Sequence, residues 1–143
     1  MAARIQASQL IDRPVAQVFH FYADEHVRNH TRWDPDIRLE QEVDGPLAVG
    51  SRIRRRNTRS GTPVDGSMQV VEFERDRAIG MLIHDGPAEM RGRATFESVS
   101  PNQTRMTVIV EIPGMDESAD TSFIAGRLQR SADTIKQLIE AES

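Results

Sequence analysis

The chain is 143 residues long, carries a formal net charge of −4 and contains no cysteine. That length suits one domain, residues 1–143, with a core large enough to need no metal or disulfide staple, and the absence of cysteine excludes disulfides, thiolate chemistry and cysteine-based zinc sites together. The mild acidity argues against a general binder of nucleic acid, and "MAARIQASQLID" lacks a signal-type apolar stretch; no later run is long enough to span a bilayer, so a cytoplasmic protein without integral membrane association is expected.

"ARIQASQLID" reads as a strand with Ile5, Ala7 and Ile11 on one parity. Asp12 followed by Pro14 is a helix start, and Val15, Val18, Phe19 and Tyr22 then repeat at the spacing of one apolar helical face. A second short helix is expected over about Asp24 to Thr31, ending before "WDPD", where Asp34 precedes Pro35 and is pushed out of helical geometry. From Ile37 the period becomes two: Ile37, Leu39 and Val43 face one way, Arg38, Glu40 and Glu42 the other. "DGPLAVG" is a turn, "SRIRRRNT" a polar strand and "RSGTPVDG" a loop. "SMQVVEFER" and "AIGMLIHD" are strands broken at Asp76–Arg77, and the hairpin "MRGRATFESV–SPNQ–TRMTVIVEI" closes the strand-rich stretch. The last segment is one long helix whose stripe is Ile124, Leu128, Ser131, Ala132, Ile135, Leu138 and Ile139. Gly126 falls opposite that stripe. Hairpin-length connections make the sheet antiparallel, so the class is α+β.

This order of elements, with "IDRPVAQVFHFYAD" at 11–24, "RWDP" at 32–35, "LAVGSRIR" at 47–54, "VVEFERDR" at 70–77 and "ATFESVSPNQTRMTVIVEI" at 94–112, resembles the polyketide cyclase/dehydrase branch of the START-like (Bet v 1-like, SRPBCC) superfamily. The resemblance covers nearly the whole chain and rests on order and spacing more than on any one motif. It implies a helix-grip fold: a curved seven-stranded antiparallel sheet wrapped around the C-terminal helix, two short helices after the first strand, and a deep cavity. Members of the family bind lipids, sterols, hormones or polyketides, some cyclise and dehydrate polyketide chains, and others are co-chaperones or antitoxins, so fold alone does not choose a function. It also implies that Trp33, in "RWDP", lies beside the cavity mouth, with Arg32 and Asp34 in water. Trp33 then either covers the pocket or only anchors its loop.

Strand alternation predicts the inward set: Met68 and Val70, then Ile79, Met81 and Ile83, then Met90, Gly92, Ala94 and Phe96, then Met106, Val108, Val110 and Ile112. Apart from Met1 and Met115, every methionine falls on this face, which suits a plastic apolar pocket for ligands of variable shape. Of this set, Met68, Val70, Met81, Ile83, Met90, Ala94, Phe96, Met106 and Val108, with Trp33 from "RWDP" and Ile124 and Leu128 from the terminal helix, are the expected ligand contacts. His84, Arg91 and Arg93 have the outward parity. For chemistry, only Tyr22, Asp34 and Glu72 offer themselves; Glu72 shares parity with Met68 and Val70, and nothing in the sequence brings the three together.

Two other signals carry less. His26 and His30 in "HVRNH" sit four apart, a metal-chelating spacing, but no third ligand accompanies them, so a solvated polar face and no metal are expected. "RIRRRNTR", Arg52 to Arg59, alternates without aromatics and reads as an exposed sheet edge. Of the 18 basic residues all but Lys136 are arginine, which GC-rich coding explains more simply than anion recognition. The expectation is therefore a monomer or homodimer, without cofactor, that binds a small hydrophobic molecule. A cyclase/dehydratase in the same cavity and a protein-interaction module are the alternatives.

Overall fold

The computed structural model describes residues 3–116 and 118–142. Seven antiparallel strands form one sheet: β1 (Ala3–Ile11), β2 (Ile37–Gln41), β3 (Arg52–Asn57), β4 (Val64–Glu74), β5 (Ala78–Asp85), β6 (Ala88–Ser100) and β7 (Gln103–Ile112). Their spatial order is β1-β7-β6-β5-β4-β3-β2. Between β1 and β2 the chain forms α1 (Val15–Phe19), a π-helical turn over His20–Asp24 and α2 (His26–Trp33); α3 (Ser122–Ala141) ends the molecule. This is the helix-grip arrangement, and the curved sheet with its helices matches the Bet v 1-like fold.

Alternation works as the sequence implies. On β1, Ala3, Ile5, Ala7 and Ile11 are buried while Arg4, Gln6 and Ser8 face water. Pro14 has φ −60° and sits immediately before α1, where its missing N–H costs nothing. The π-helical turn is wider than an α-turn, and through it three successive residues, Phe21, Tyr22 and Ala23, all become buried. Such insertions are frequent at functional sites. The helix α3 lies along β1 in the same direction: Gln129 donates to the Ser8 carbonyl at 3.3 Å and Lys136 to the Leu10 carbonyl at 2.6 Å. Its buried face is Ala132, Ile135 and Ile139.

Three expectations need correction. The second helix runs from His26 to Trp33, so Trp33 is its last residue and not part of a connector. β2 stops at Gln41 and Val43 is largely exposed, because the chain bends at Glu42–Val43 and leaves the ladder with β3. And β3 is not an edge: it pairs with β2 on one side and β4 on the other. Arg52, Arg54 and Arg56 do reach water, but Arg55, sharing parity with Ile53, is buried.

The inner face is closed at one end and open at the other. Ile79 and Met81 of β5 are buried and Ile83 only half so; on β6 Ala94 and Phe96 are buried and Met90 half so; on β7 Met106 and Val108 are buried, Val110 and Ile112 half so. The register pairs Ile83 with Met90, and Gly92 with Val110, so the half-buried positions adjoin. The first turns of α3, carrying Ile124 and Leu128, are half-buried as well.

Candidate functional site

The core between sheet and helices is a chain of aromatic rings. Phe73 and Phe96 both meet Phe19 edge-on, with centroids 5.4 and 5.3 Å away, Phe96 meets Tyr22 at 5.7 Å, and Tyr22 stacks on Trp33 at 5.3 Å with only 9° between the planes. Met68, Met81 and Met106 pack against these rings. Together they fill most of the deep cavity that the family resemblance implies. A cavity of about 50 Å³ is left, lined by Tyr22, His26 and His30 on one side and by Met68, Ile79, Met81, Ile83, Gly92, Arg93 and Ala94 on the other. That holds one or two waters at ~30 Å³ each, whereas small-molecule sites are typically ~300–1,000 Å³. Wider grooves of about 570 and 410 Å³ lie on the outer face, among arginine–carboxylate pairs.

The polar side of the cavity was not foreseen. His26 and His30 do not form a solvated face: His26 is buried and His30 turns toward the cavity. Nδ1 of His26 lies 2.9 Å from the carbonyl oxygen of Tyr22, so that nitrogen carries the proton and donates. Burial pushes His26 down from 6.5 to about 4, with the carbonyl contact opposing and the Arg55 charge adding to the effect. The ring is therefore neutral at pH 7, and its Nε2 is a bare acceptor. Nδ1 of His30 lies 3.0 Å from that Nε2 and must be the donor. His30 is also held well below the usual histidine range, first by burial, then by His26, Arg55 and Arg59. Its remaining nitrogen, Nε2, is a lone-pair acceptor. The tautomers of both rings thus follow from one backbone carbonyl.

His30 Nε2 has no hydrogen-bond partner among the described residues, and neither has the Tyr22 hydroxyl; neither atom is among the sealed, unsatisfied ones, a condition found only at Arg59 Nε. Burial raises the Tyr22 hydroxyl above the usual tyrosine range, so it stays protonated. The signal that locates the pair is helical: His30 and His26 precede Trp33 by three and seven residues and so share its face. The inward placement of Trp33 carries them with it.

The other chemical candidates lie elsewhere. Glu72 is on the outer face. A β-bulge shifts the register between Val70 and Glu72, and one extra residue flips the parity of everything beyond it. Glu72 pairs with Gly80, and Arg93 grips its carboxylate at 2.7 and 3.0 Å; those bonds hold the acid below its usual range. A Cβ at Gly80 would come within 3.1 Å of the Glu72 side chain, which would have to give by a few tenths of an ångström. Asp34, the residue after α2, takes a 2.7 Å hydrogen bond from Arg59. It lines a separate surface groove with Trp33, Arg127 and Thr134. Of the three acid–base candidates only Tyr22 lines the cavity.

Of the expected ligand contacts, Met68, Val70, Met81, Ala94, Phe96, Met106, Val108 and Trp33 are buried in the core, whereas Ile83, Met90, Ile124 and Leu128 are half-buried at the open end. At that end Arg55 forks onto Asp85 at 2.7 and 3.2 Å, and Asn57 adds a 3.1 Å bond to the same carboxylate. Their strands meet at Gly66, which pairs with both. A Cβ at Gly66 would stand 1.8 Å from the His84 carbonyl oxygen. Among the described residues no three His, Cys, Asp or Glu side chains gather to hold a metal, and no helix is long and apolar enough to cross a membrane.

A family model described as polyketide cyclase/dehydrase and lipid transport matches residues 2–140. The chain belongs to that family. Solved structures agree on the fold. A START superfamily protein from Mycobacterium smegmatis is 12% identical, with 98% of this chain and 99% of that one covered and a TM-score of 0.75. Ara h 8.0201 is 13% identical, with 97% and 98% covered and a TM-score of 0.74. The di-domain ARO/CYC protein BexL, from the BE-7585A biosynthetic pathway, is 20% identical with a TM-score of 0.71; 96% of this chain is covered but only 46% of BexL. No curated protein sequence matches the chain. At these identities the structural neighbours establish the family's fold and leave its chemistry here to the residues present.

Proposed function

We propose that this family member binds a small hydrophobic molecule, lipid- or polyketide-like, between the inner face of the sheet and α3, as a cytoplasmic carrier. The observation that carries this reading is the open end of the inner face, where Ile83, Met90, Val110 and Ile124 are half-exposed beside a small apolar cavity. Apolar side chains gathered in a concavity and left partly in water are stabilised by a ligand that covers them. Because the cavity itself is small, the body of the ligand rests at the open end and deeper seating requires the methionines to change rotamer, which their unbranched chains allow.

Trp33 is the natural reporter, being the only tryptophan and stacked on cavity-lining Tyr22. Titration with 1-dodecanol, which absorbs nothing at tryptophan wavelengths, is expected to shift the emission of Trp33 in step with heat released in calorimetry. Calorimetric binding with unchanged emission would place the ligand elsewhere, and absence of binding by this and by two-ring aromatic probes would end the carrier reading.

A second reading, cyclisation or dehydration of a polyketide chain, is favoured by one observation: Tyr22, with a hydroxyl, and His30, with an acceptor Nε2, line one apolar cavity. Against it, a histidine held well below its usual range is a weak base at pH 7, and efficient general bases are tuned toward the working pH. Binding is therefore the primary proposal. Glu72→Gln is expected to leave ligand affinity within about twofold of the parent, since the side chain is an outer-face ion pair of the kind worth about 0–1 kcal/mol; a tenfold loss, measured by calorimetry, would return Glu72 to the site.

A further inference from the structure

The cavity carries more information than its size. An apolar pocket tolerates polar atoms only when they are satisfied, because an unpaired buried donor or acceptor is costly. Here the Tyr22 hydroxyl and His30 Nε2 lack protein partners among the described residues without being sealed from solvent, and both residues line the same cavity, so a ligand that displaces the water there must replace its hydrogen bonds. Only His30 Nε2 has its polarity fixed. The Tyr22 hydroxyl keeps its proton and can donate as well as accept; His30 uses its only N–H to donate to His26, which uses its own to donate to the Tyr22 carbonyl. His30 Nε2 can therefore only accept. Turning the His30 ring over would break its 3.0 Å bond to His26.

We infer that Tyr22 and His30 form a hydroxyl-selecting site: the ligand is a neutral apolar molecule bearing an alcohol or phenol group, which donates to His30 Nε2 and accepts from the Tyr22 hydroxyl. His26 is a positioning residue that sets the tautomer of His30. A hydroxyl is the small group that donates and accepts at one atom, as water does, and a cavity of about 50 Å³ is sized for that group and its carbon. The apolar remainder of the ligand then lies at the open end, against Ile83 and Met90. A carbonyl satisfies Tyr22 alone. A carboxylate has no proton for His30, and a hydrocarbon leaves both atoms unpaired. This selectivity rests on the carrier reading above and adds a substrate class to it.

The test compares 2-naphthol with 2-methylnaphthalene, which differ by hydroxyl against methyl at nearly constant shape. In the parent, calorimetry is expected to show 2-naphthol binding about tenfold or more tighter, the discrimination of a site whose polar groups go unpaired with the wrong analogue. His30→Leu is expected to abolish that preference while 2-methylnaphthalene binds as before or tighter, and Tyr22→Phe to reduce it. The parent itself provides a check that no folding defect can confuse: the ¹⁵N resonance of His30 Nε2 should move toward hydrogen-bonded values with 2-naphthol and stay in place with 2-methylnaphthalene. Equal binding of the two compounds with an unmoved resonance overturns the hydroxyl site and leaves the carrier reading standing. Binding of neither overturns both.

Discussion

Replacing Asp85 with alanine is expected to remove about 3–5 kcal/mol of folding stability, the range found when one partner of a buried ion pair is deleted. The pair is well sealed: the side chains of Arg55 and Asp85 are 6% and 11% exposed. Burial alone would raise the Asp85 carboxyl, yet the forked bond from Arg55 and the bond from Asn57 hold it below its usual range. Without Asp85 the guanidinium keeps only its contact to the Met68 sulfur, at 3.7 Å, and an uncompensated charge remains in the wall of the core. For a chain of this length the loss corresponds to a fall of roughly 10–15 °C in Tm. Calorimetric or urea unfolding measures it directly. The double variant Arg55→Met/Asp85→Leu should recover most of the loss, because a buried pair replaced as a unit by apolar groups is often neutral. A loss below about 1 kcal/mol for Asp85→Ala would mean that water reaches the pair, and with it the open end of the cavity.

Acidification should weaken the fold in a window set by the two histidines. Above pH 6.5 His26 is neutral whether the chain is folded or not, so it contributes no pH dependence there. Below that value the unfolded chain takes up a proton and the folded chain does not, until the pH approaches about 4. Stability therefore falls as pH drops from 6.5 to about 4, and a histidine held that far below its ordinary value accounts for about 3 kcal/mol by proton linkage. His30, shifted in the same direction, steepens the fall. The paired carboxylates Asp24, Asp85 and Glu140 are lowered, so their contribution is lost only below about pH 4, where unfolded carboxylates protonate. Urea unfolding between pH 7.5 and 4.5 should show the parent losing about 2–3 kcal/mol or more, and the double variant His26→Gln/His30→Gln, which has nothing to titrate there, losing little. Equal slopes in the two proteins would show that the rings are hydrated and that the relay does not exist in solution.

The alternation of β1 and β4 to β7, the stripe of α3 and the proline-started helix after β1 were all legible in the sequence, because each depends on local spacing alone. From these came the antiparallel α+β class and the inward parity of the four methionines, of which Met68, Met81 and Met106 are buried and Met90 half so, whereas the helix-grip arrangement was what the family resemblance implied. Burial of Arg55 was nearly legible too: its parity with Ile53 points inward, but a run of arginines disguises one inward side chain among outward ones. Only the tertiary structure decided matters of register and filling. A bulge at Val70/Glu72 is invisible to a period of two, so Glu72 changed faces and left the site. A π-helical turn rotates the helix α2 after it, bringing His26 and His30 under the sheet. Parity says which side of a sheet a residue faces, but not how many side chains compete for that space. The reduction of a deep cavity to about 50 Å³, with Tyr22 and His30 in its wall, came from rings on α1, the π-helical turn and α2 meeting strands far away in the chain, which no local spacing encodes.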